Sequence, residues 1–316
     1  MNVTKKYDVI CVGMALVDSI IKGFNPEPIS ASGFRAESAS LNVGGEAVNE
    51  AMTASKLGLK TGIFCSLGKD AAGDMVAAAL DSCCVDTEMV LRSAEHATPV
   101  TTMFVSDDGT RKSITNSAHR YNFHPELDTG RFTDAKALVL GSLFRAPFDN
   151  PWIIHDVMLT AKSNGQIVFA DTKLPNFNFL KLEDLRSSTP MIDYITPNED
   201  EARYYTGETE PEKMADGFLR WGVKNVIIKL GGKGCYFKNA AESLYLSAYP
   251  VHAVDATGAG DNFMAGFVSG ILRGESNYEA LRFANACGAI CSTAVGAGTA
   301  LKNREQVLTF MAEKGL

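Results

Sequence analysis

The sequence predicts an α/β protein with a mostly parallel sheet covered by helices on both faces, and three observations predict it. Short apolar runs of strand length alternate with amphipathic helical runs along most of the chain, the pattern of strand–helix–strand units. With 316 residues and 46% hydrophobic content there is material for a large core. No internal repeat or low-complexity tract is visible; length alone would permit one domain or two, and with no structureless break one over residues 1–316 is expected.

In chain order, Tyr7 to Val12 reads as the first strand and a helix starts near Ala47. A strand at Thr61 to Leu67 and a helix from near Ala72 follow, then a strand at Ala137 to Leu140 and a helix from near Trp152. Ile167 to Ala170 and Tyr194 to Thr196 read as strands, with helices from near Glu199 and Glu212. Asn225 to Leu230 is the next strand, and helices from near Gly258, near Tyr278 and over Arg304 to Lys314 complete the chain. Two early segments break the alternation. Asp18 to Leu41 contains Asn25-Pro26-Glu27-Pro28, and Thr101 to Asn116 contains Asp107-Asp108-Gly109, a hairpin tip. These two are expected to pair into a small separate sheet.

Charge and cysteine content exclude several classes. The net charge of −7, from 37 acidic and 30 basic residues without a basic block, argues against nucleic acid and anionic membranes as partners. Any anionic ligand must then be held locally. Met1 to Asp8 is polar, and no apolar run reaches the roughly 18 to 20 residues of a spanning helix, so a cytoplasmic protein is expected. The cysteines at 11, 65, 83, 84, 235, 287 and 291 lack C-x-x-C spacing and mostly sit in apolar stretches, which reads as free buried thiols. The histidines at 96, 119, 124, 155 and 252 show no metal-ligand spacing.

The chemistry concentrates in Asp255-Ala256-Thr257-Gly258-Ala259-Gly260-Asp261, followed at once by the apolar helical run Asn262 to Leu272. Small residues leave the Gly258 to Asp261 amides bare at a helix start, where the positive dipole end attracts phosphate. A carboxylate beside a phosphate site suits a base that takes a proton from an attacking hydroxyl. The same residues equally suit a glycine-rich turn whose aspartate caps a helix. Other nucleotide motifs fail. Gly68-Lys69 is followed by Asp70 and Gly232-Lys233 by Gly234, so neither is a Walker loop, and Gly258-Ala259-Gly260 meets Phe263 where a dinucleotide fingerprint needs its third glycine.

The Asp255 to Asp261 segment resembles the D-T-x-G-A-G-D signature of ribokinase-family (pfkB) carbohydrate kinases, with Ala256 in the usual threonine place. Gly44-Gly45-Glu46-Ala47-Val48-Asn49-Glu50-Ala51 resembles the family's G-G-x-x-x-N-x-A, and Asn198-Glu199-Asp200-Glu201 its N-x-x-E. Three motifs in family order, spanning about Tyr7 to the last helix, are far more specific than one. The resemblance implies a ribokinase-like three-layer α/β/α fold with a β-sheet lid from about residues 18–41 and 101–116. It also implies that the lid covers the sugar and forms a homodimer contact. The implied activity is transfer of the ATP γ-phosphoryl group to a primary hydroxyl of a small sugar. Asp261 would be the base, and the Gly258, Ala259 and Gly260 amides would stabilise the transferring group.

By the same resemblance Asp18, Gly44, Gly45 and Asn49 contact the sugar, while Lys229, Gly231, Gly232 and Gly234 lie along ATP and Asn285 begins a segment, to Gly298, that closes over adenine. Without it, Asp18 reads as a turn residue, Asn49 as a helix-start residue, Lys229 to Gly234 as a tight hairpin and the 285–298 segment as core. Asn198 and Glu201, three apart at a helix start, suit either Mg²⁺ and its water shell or a capping box, and the motif register favours Mg²⁺. Asp255 matches a monovalent-cation ligand of parts of the family, which raises a K⁺ requirement. His119-Arg120, after the second lid segment, is a further candidate for the sugar side. Ribokinases proper place a glutamate where this chain has Gly141-Ser142-Leu143, and Asp171-Thr172-Lys173 has the D-x-K look of hexose and sugar-acid kinases. Fructose or another ketohexose is therefore the expected substrate. Ribose, 2-keto-3-deoxygluconate and a nucleoside are the alternatives, and a catalytically silent sensor is the reading from another class.

Overall fold

The computed structural model describes residues 5–23, 36–106, 111–116 and 123–315. The Asn25 to Pro28 turn, the Asp107 to Gly109 tip and His119-Arg120 lie outside them.

The chain begins β1 (Tyr7–Val12), β2 (Leu16–Lys22), β3 (Ser38–Gly44), α1 (Glu46–Lys56), β4 (Thr61–Phe64), β5 (Ser66–Gly68), α2 (Ala71–Ser82), β6 (Leu91–Ser93), β7 (Val100–Val105) and β8 (Arg111–Thr115). It continues β9 (Ala135–Leu143), α3 (Pro151–Ser163), β10 (Ile167–Thr172), β11 (Tyr194–Thr196), α4 (Glu199–Thr206), α5 (Pro211–Arg220) and β12 (Asn225–Lys229). Last come β13 (Cys235–Asn239), β14 (Ser243–Leu246), α6 (Ala259–Leu272), α7 (Asn277–Cys291) and α8 (Arg304–Lys314).

Eight strands form the main sheet in the order β14-β13-β12-β11-β10-β9-β1-β4. All pair in parallel except β13 and β14, which add an antiparallel edge. Both faces are buried, which is why the strands read as continuous apolar runs. Ile10, Leu138, Val168 and Val226 pack under α3 and α5, whose Ile154, Val157 and Phe218 are fully buried. The alternate residues Val9, Val139, Phe169 and Ile227 pack with α1, α6 and α7 through Ala51, Phe267 and Leu281. This is the three-layer α/β/α arrangement that the resemblance implies.

The expected strand at Thr61 to Leu67 is two strands. β4 joins the main sheet, whereas after Cys65 the chain turns out and β5 pairs with β6. Lys229 to Gly234 does form a tight hairpin, between β12 and β13, and the β13–β14 pair was not anticipated. Cys83 is half-buried and Cys84 exposed, while all seven cysteines are free and the other five are buried. Among the described residues no helix is long and apolar enough to cross a membrane.

The small sheet has the order β3-β2-β7-β8, so both irregular segments contribute as expected, with strands that start at Leu16 and run on to Gly44. Its register sorts side chains into two faces. The row Asn42, Asp18, Thr101, Thr115 brings Asp18, Thr101 and Thr115 to the main cavity. The neighbouring row Leu41, Ser19, Thr102, Ile114 faces the other way, and Leu41 and Ile114 are 62% and 68% exposed.

Candidate active site

Parallel strands gather ligands at their carboxyl ends. Here Met14 after β1, Ser142 on β9, Asp171 on β10, Asn198 after β11 and Lys229 on β12 share one cavity of about 810 Å³ with the lid and the start of α6. Gly258 caps α6 with φ 76°, and a Cβ there would collide with Ala297, so the turn requires glycine. The first helical bond runs from Asn262 N to Gly258 O at 2.9 Å, which leaves earlier amides without intrahelical acceptors. One expectation needs correcting. The Ala259 amide is not bare, because it donates to Ala256 O at 3.2 Å, so the cradle rests on Gly258, Gly260 and Asp261.

Asp261 is 6% exposed and accepts a hydrogen bond from Asn49 Nδ2 at 2.7 Å. Asn49 and Asp261, 212 positions apart in sequence, thus meet directly. Burial pushes the Asp261 pKa up to about 6; Lys173 opposes it, and Glu46 and Asp171 add to it. Asp18 is also raised to about 6, by burial and by the Glu46 charge. Glu46 itself is held down at about 2: burial would raise it, but the charge of Lys173, 3.1 Å away, outweighs that. Lys173 in turn is raised, chiefly by Glu46.

Of the two lysines at the β12–β13 turn, Lys229 and Lys233, it is Lys229 that lines the cavity. Its Nζ donates to the buried Asp171 Oδ1 at 2.7 Å, and it stands 3.2 Å from where a Cβ on Gly260 would be. Burial would lower the Lys229 pKa, yet Asp171 and Glu201 outweigh it and the net shift is upward. A permanent cation beside the bare amides suits a phosphate. Gly231 lines the same cavity with φ 57°.

Four expected contacts are not on the cavity wall. Gly44 stands behind Asp18, where any Cβ would strike that carboxylate. Gly232 lies in the hairpin turn with open space around it, and Gly234, at φ 108°, would drive a side chain into Leu246 O. Asn285 is buried between α7 and β13 with Nδ2 on Cys235 Sγ at 3.5 Å, which is the core reading of that segment. Gly45, in contrast, does line the cavity, and its φ of 98° lets the chain turn from the lid into α1 against Met14 O.

Asn198 and Glu201 form a full capping box. Asn198 Oδ1 accepts from Glu201 N and Glu201 Oε2 from Asn198 N, both at 2.9 Å, and Thr172 Oγ1 adds a third bond to Glu201 at 2.8 Å. Both side chains still line the cavity. Among the described residues no group of three or more His, Cys, Asp and Glu could cage a metal. The donor set fits an ion held mostly by phosphate and water, as Mg²⁺ is, rather than a direct cage. Asp255 has a structural task. Its Oδ1 accepts from Thr257 N and Oγ1, and its Oδ2 from Gly296 N at 3.1 Å, clamping the cradle turn to the 296–298 loop.

Several residues escaped the motif reading. Asn262, fully buried inside α6, donates to Gly258 O and Ala297 O and pairs with Thr53 on α1. Glu50 is buried with both carboxylate oxygens unpartnered, and burial followed by the Asp171 and Asp261 charges raises its pKa well above normal. Arg145, after β9, lines the cavity without any signal in the sequence. The Lys173 pairing was half visible, as the lysine two places after Asp171 at a strand end.

Comparison with known proteins agrees with this geometry. A family model described as pfkB family carbohydrate kinase matches residues 6–304. The ribokinase of Haemophilus influenzae is 30% identical over 279 residues, 85% of this chain and 87% of that protein. The 2-dehydro-3-deoxygluconokinase of Bacillus subtilis is 39% identical over 123 residues, 39% of this chain and 38% of that protein. The structure of Arabidopsis thaliana ribokinase complexed with ribose and ATP superposes with a TM-score of 0.85 at 28% identity, covering 96% of this chain and 98% of that one. With a family model spanning nearly the whole chain and a cavity that joins a buried carboxylate to an anion cradle, the chain belongs to the pfkB family of carbohydrate kinases, phosphotransferases with an alcohol group as acceptor.

Proposed function

We propose that the protein transfers the γ-phosphoryl group of ATP to a primary hydroxyl of a small keto sugar, fructose or another ketohexose. The observation that carries the reading is the Asn49–Asp261 bond inside the cavity, beside bare helix-start amides and Lys229. Asn49 and Asp18 orient the acceptor, and the Asp261 carboxylate takes the hydroxyl proton. The oxygen then bonds to the γ-phosphorus while the bond from that phosphorus to the β–γ bridging oxygen breaks and ADP departs. The Gly258 and Gly260 amides and Lys229 offset charge on the transferring group. Mg²⁺, held through water by Asn198 and Glu201, would neutralise the phosphate tail. A monovalent cation at Asp255 has no support beyond the motif.

The acceptor class is argued from the wall. The β9 end offers Ser142 rather than a glutamate, which weighs against ribose, and Lys173 follows Asp171 where hexose and sugar-acid kinases carry a base. A 2-keto-3-deoxygluconate kinase is the second reading, favoured by the match to the Bacillus subtilis enzyme. A silent sensor would not need Asp261 poised near neutrality. Measuring ADP formation with fructose, tagatose, ribose, 2-keto-3-deoxygluconate and adenosine tests the reading. Turnover with fructose or tagatose supports it, and activity confined to adenosine or ribose overturns it.

A further inference from the structure

Three basic residues line the described part of the cavity, and two of them are spent on carboxylates of the protein: Lys173 on Glu46 at 3.1 Å and Lys229 on Asp171 at 2.7 Å. Arg145 is the third. Its Nε donates to Leu174 O at 2.8 Å, which fixes the guanidinium, while its Nη atoms have neither a hydrogen bond nor a carboxylate partner among the described residues.

The turn that carries Arg145 is rigid. Phe144 and Phe148 on either side of it are fully buried, Phe144 stacks on Tyr205 at 3.9 Å, and Phe144 N bonds Phe148 O at 2.9 Å. Arg145 N closes the turn onto Ser142 O at 3.0 Å. Ser142 and Phe144 have φ of 68° and 78°, a left-handed backbone that bulky residues rarely adopt. Such conformations persist where the surroundings enforce them, and they cluster at ligand sites. An arginine on an over-determined turn, with its fork free, is arranged for a planar or tetrahedral anion.

Sheet order says which ligand that anion belongs to. β9 lies next to β1, which feeds the lid strand bearing Asp18, whereas β12 and Gly231 stand three strands away. Three strand spacings are about 14 Å. Arg145 therefore sits on the acceptor side of the cleft, not beside the amides and Lys229 that suit ATP.

We propose that Arg145 forms an anion subsite for the acceptor, so that the preferred sugar carries a carboxylate or a phosphate ester besides the hydroxyl it presents to Asp261. This rests on the phosphoryl-transfer reading above and moves the preferred acceptor from a neutral ketohexose to an anionic relative of it.

The test compares kcat/KM of the wild-type enzyme for fructose, for 2-keto-3-deoxygluconate and for fructose 6-phosphate, then repeats it with R145Q and R145K after thermal melts confirm that both variants fold. One of the two anionic acceptors should exceed fructose, and which one does so separates carboxylate from phosphate ester. R145Q should lower kcat/KM for that acceptor by about 10- to 150-fold relative to fructose, the value of a charge-assisted forked contact, and R145K should recover part of it. The subsite is overturned if fructose is the best acceptor, if R145Q shifts the ratio by less than about threefold, or if its effect falls on the KM for ATP. If no acceptor supports ADP formation, the kinase reading fails separately. Calorimetric titration of wild type and R145Q with the same two anions then decides the subsite, and equal binding or none overturns it.

Discussion

At Asp261 the chemistry and the stability of the fold pull in opposite directions. A carboxyl raised from 3.8 to about 6 is disfavoured as an anion by the folded state, so its cost is absent below pH 4 and grows as pH rises to 6. Asp261→Asn keeps an acceptor for Asn49 Nδ2 and removes that cost. We expect turnover to fall by at least about 10²- to 10⁴-fold, the usual worth of a general base, while Tm at pH 8 rises and Tm at pH 4 hardly changes. Turnover within about threefold of wild type would remove Asp261 from the role of base. The wild-type pH profile of kcat/KM should carry an acid limb near 6 that Asp18→Asn preserves, since in the proposed mechanism Asp18 would position the sugar rather than take its proton. Asp261 was legible because its neighbours form a motif. Glu46, Glu50 and Arg145 were not, because their roles arise from partners about 90 to 210 positions away, or from having none, which no local spacing encodes.

At the scale of elements, the start of α6 is held by side chains from outside its own turn. Asn262→Ala would remove the side-chain bonds to Gly258 O and Ala297 O, which keep the residue 262 amide and the Cys291 thiol as donors, and would leave the Thr53 hydroxyl without its acceptor, a loss of about 1–3 kcal/mol by the usual cost of a buried unsatisfied group. Chemical denaturation should show this, and a midpoint unchanged from wild type would mean that water replaces the amide. The start of α4 separates capping from metal binding. Glu201→Gln retains an acceptor for Asn198 N and Thr172 Oγ1, so Tm should move little, while the Mg²⁺ concentration for half-maximal rate should rise. A large fall in Tm with unaltered Mg²⁺ dependence would assign Glu201 to the helix cap alone. Helices and parallel strands were readable from periodicity because each buries a face of fixed period. The break of Thr61 to Leu67 at Cys65 and the β13–β14 edge were not, since an apolar run does not state which strand it will pair with.

Across the whole molecule, the lid is the part that cannot stand alone. A four-stranded sheet of short strands is marginal in water unless one face is covered. Its inner row of Asp18, Thr101 and Thr115 is polar and closes over the cavity, while the outer row leaves Leu41 and Ile114 exposed. The inner face would gain cover when acceptor fills the cavity and the outer face from a second lid, so we expect a homodimer through the lids. Amides of β7 and β8 should exchange more slowly with the true acceptor present than with ATP alone. Light scattering should give a dimer, and Ile114→Lys with Leu41→Lys should shift it toward monomer and raise lid exchange without unfolding the main sheet. A monomer whose lid amides are equally protected with and without every acceptor that supports turnover would show instead that the main domain alone holds these strands in place, through the α2 contacts at their base.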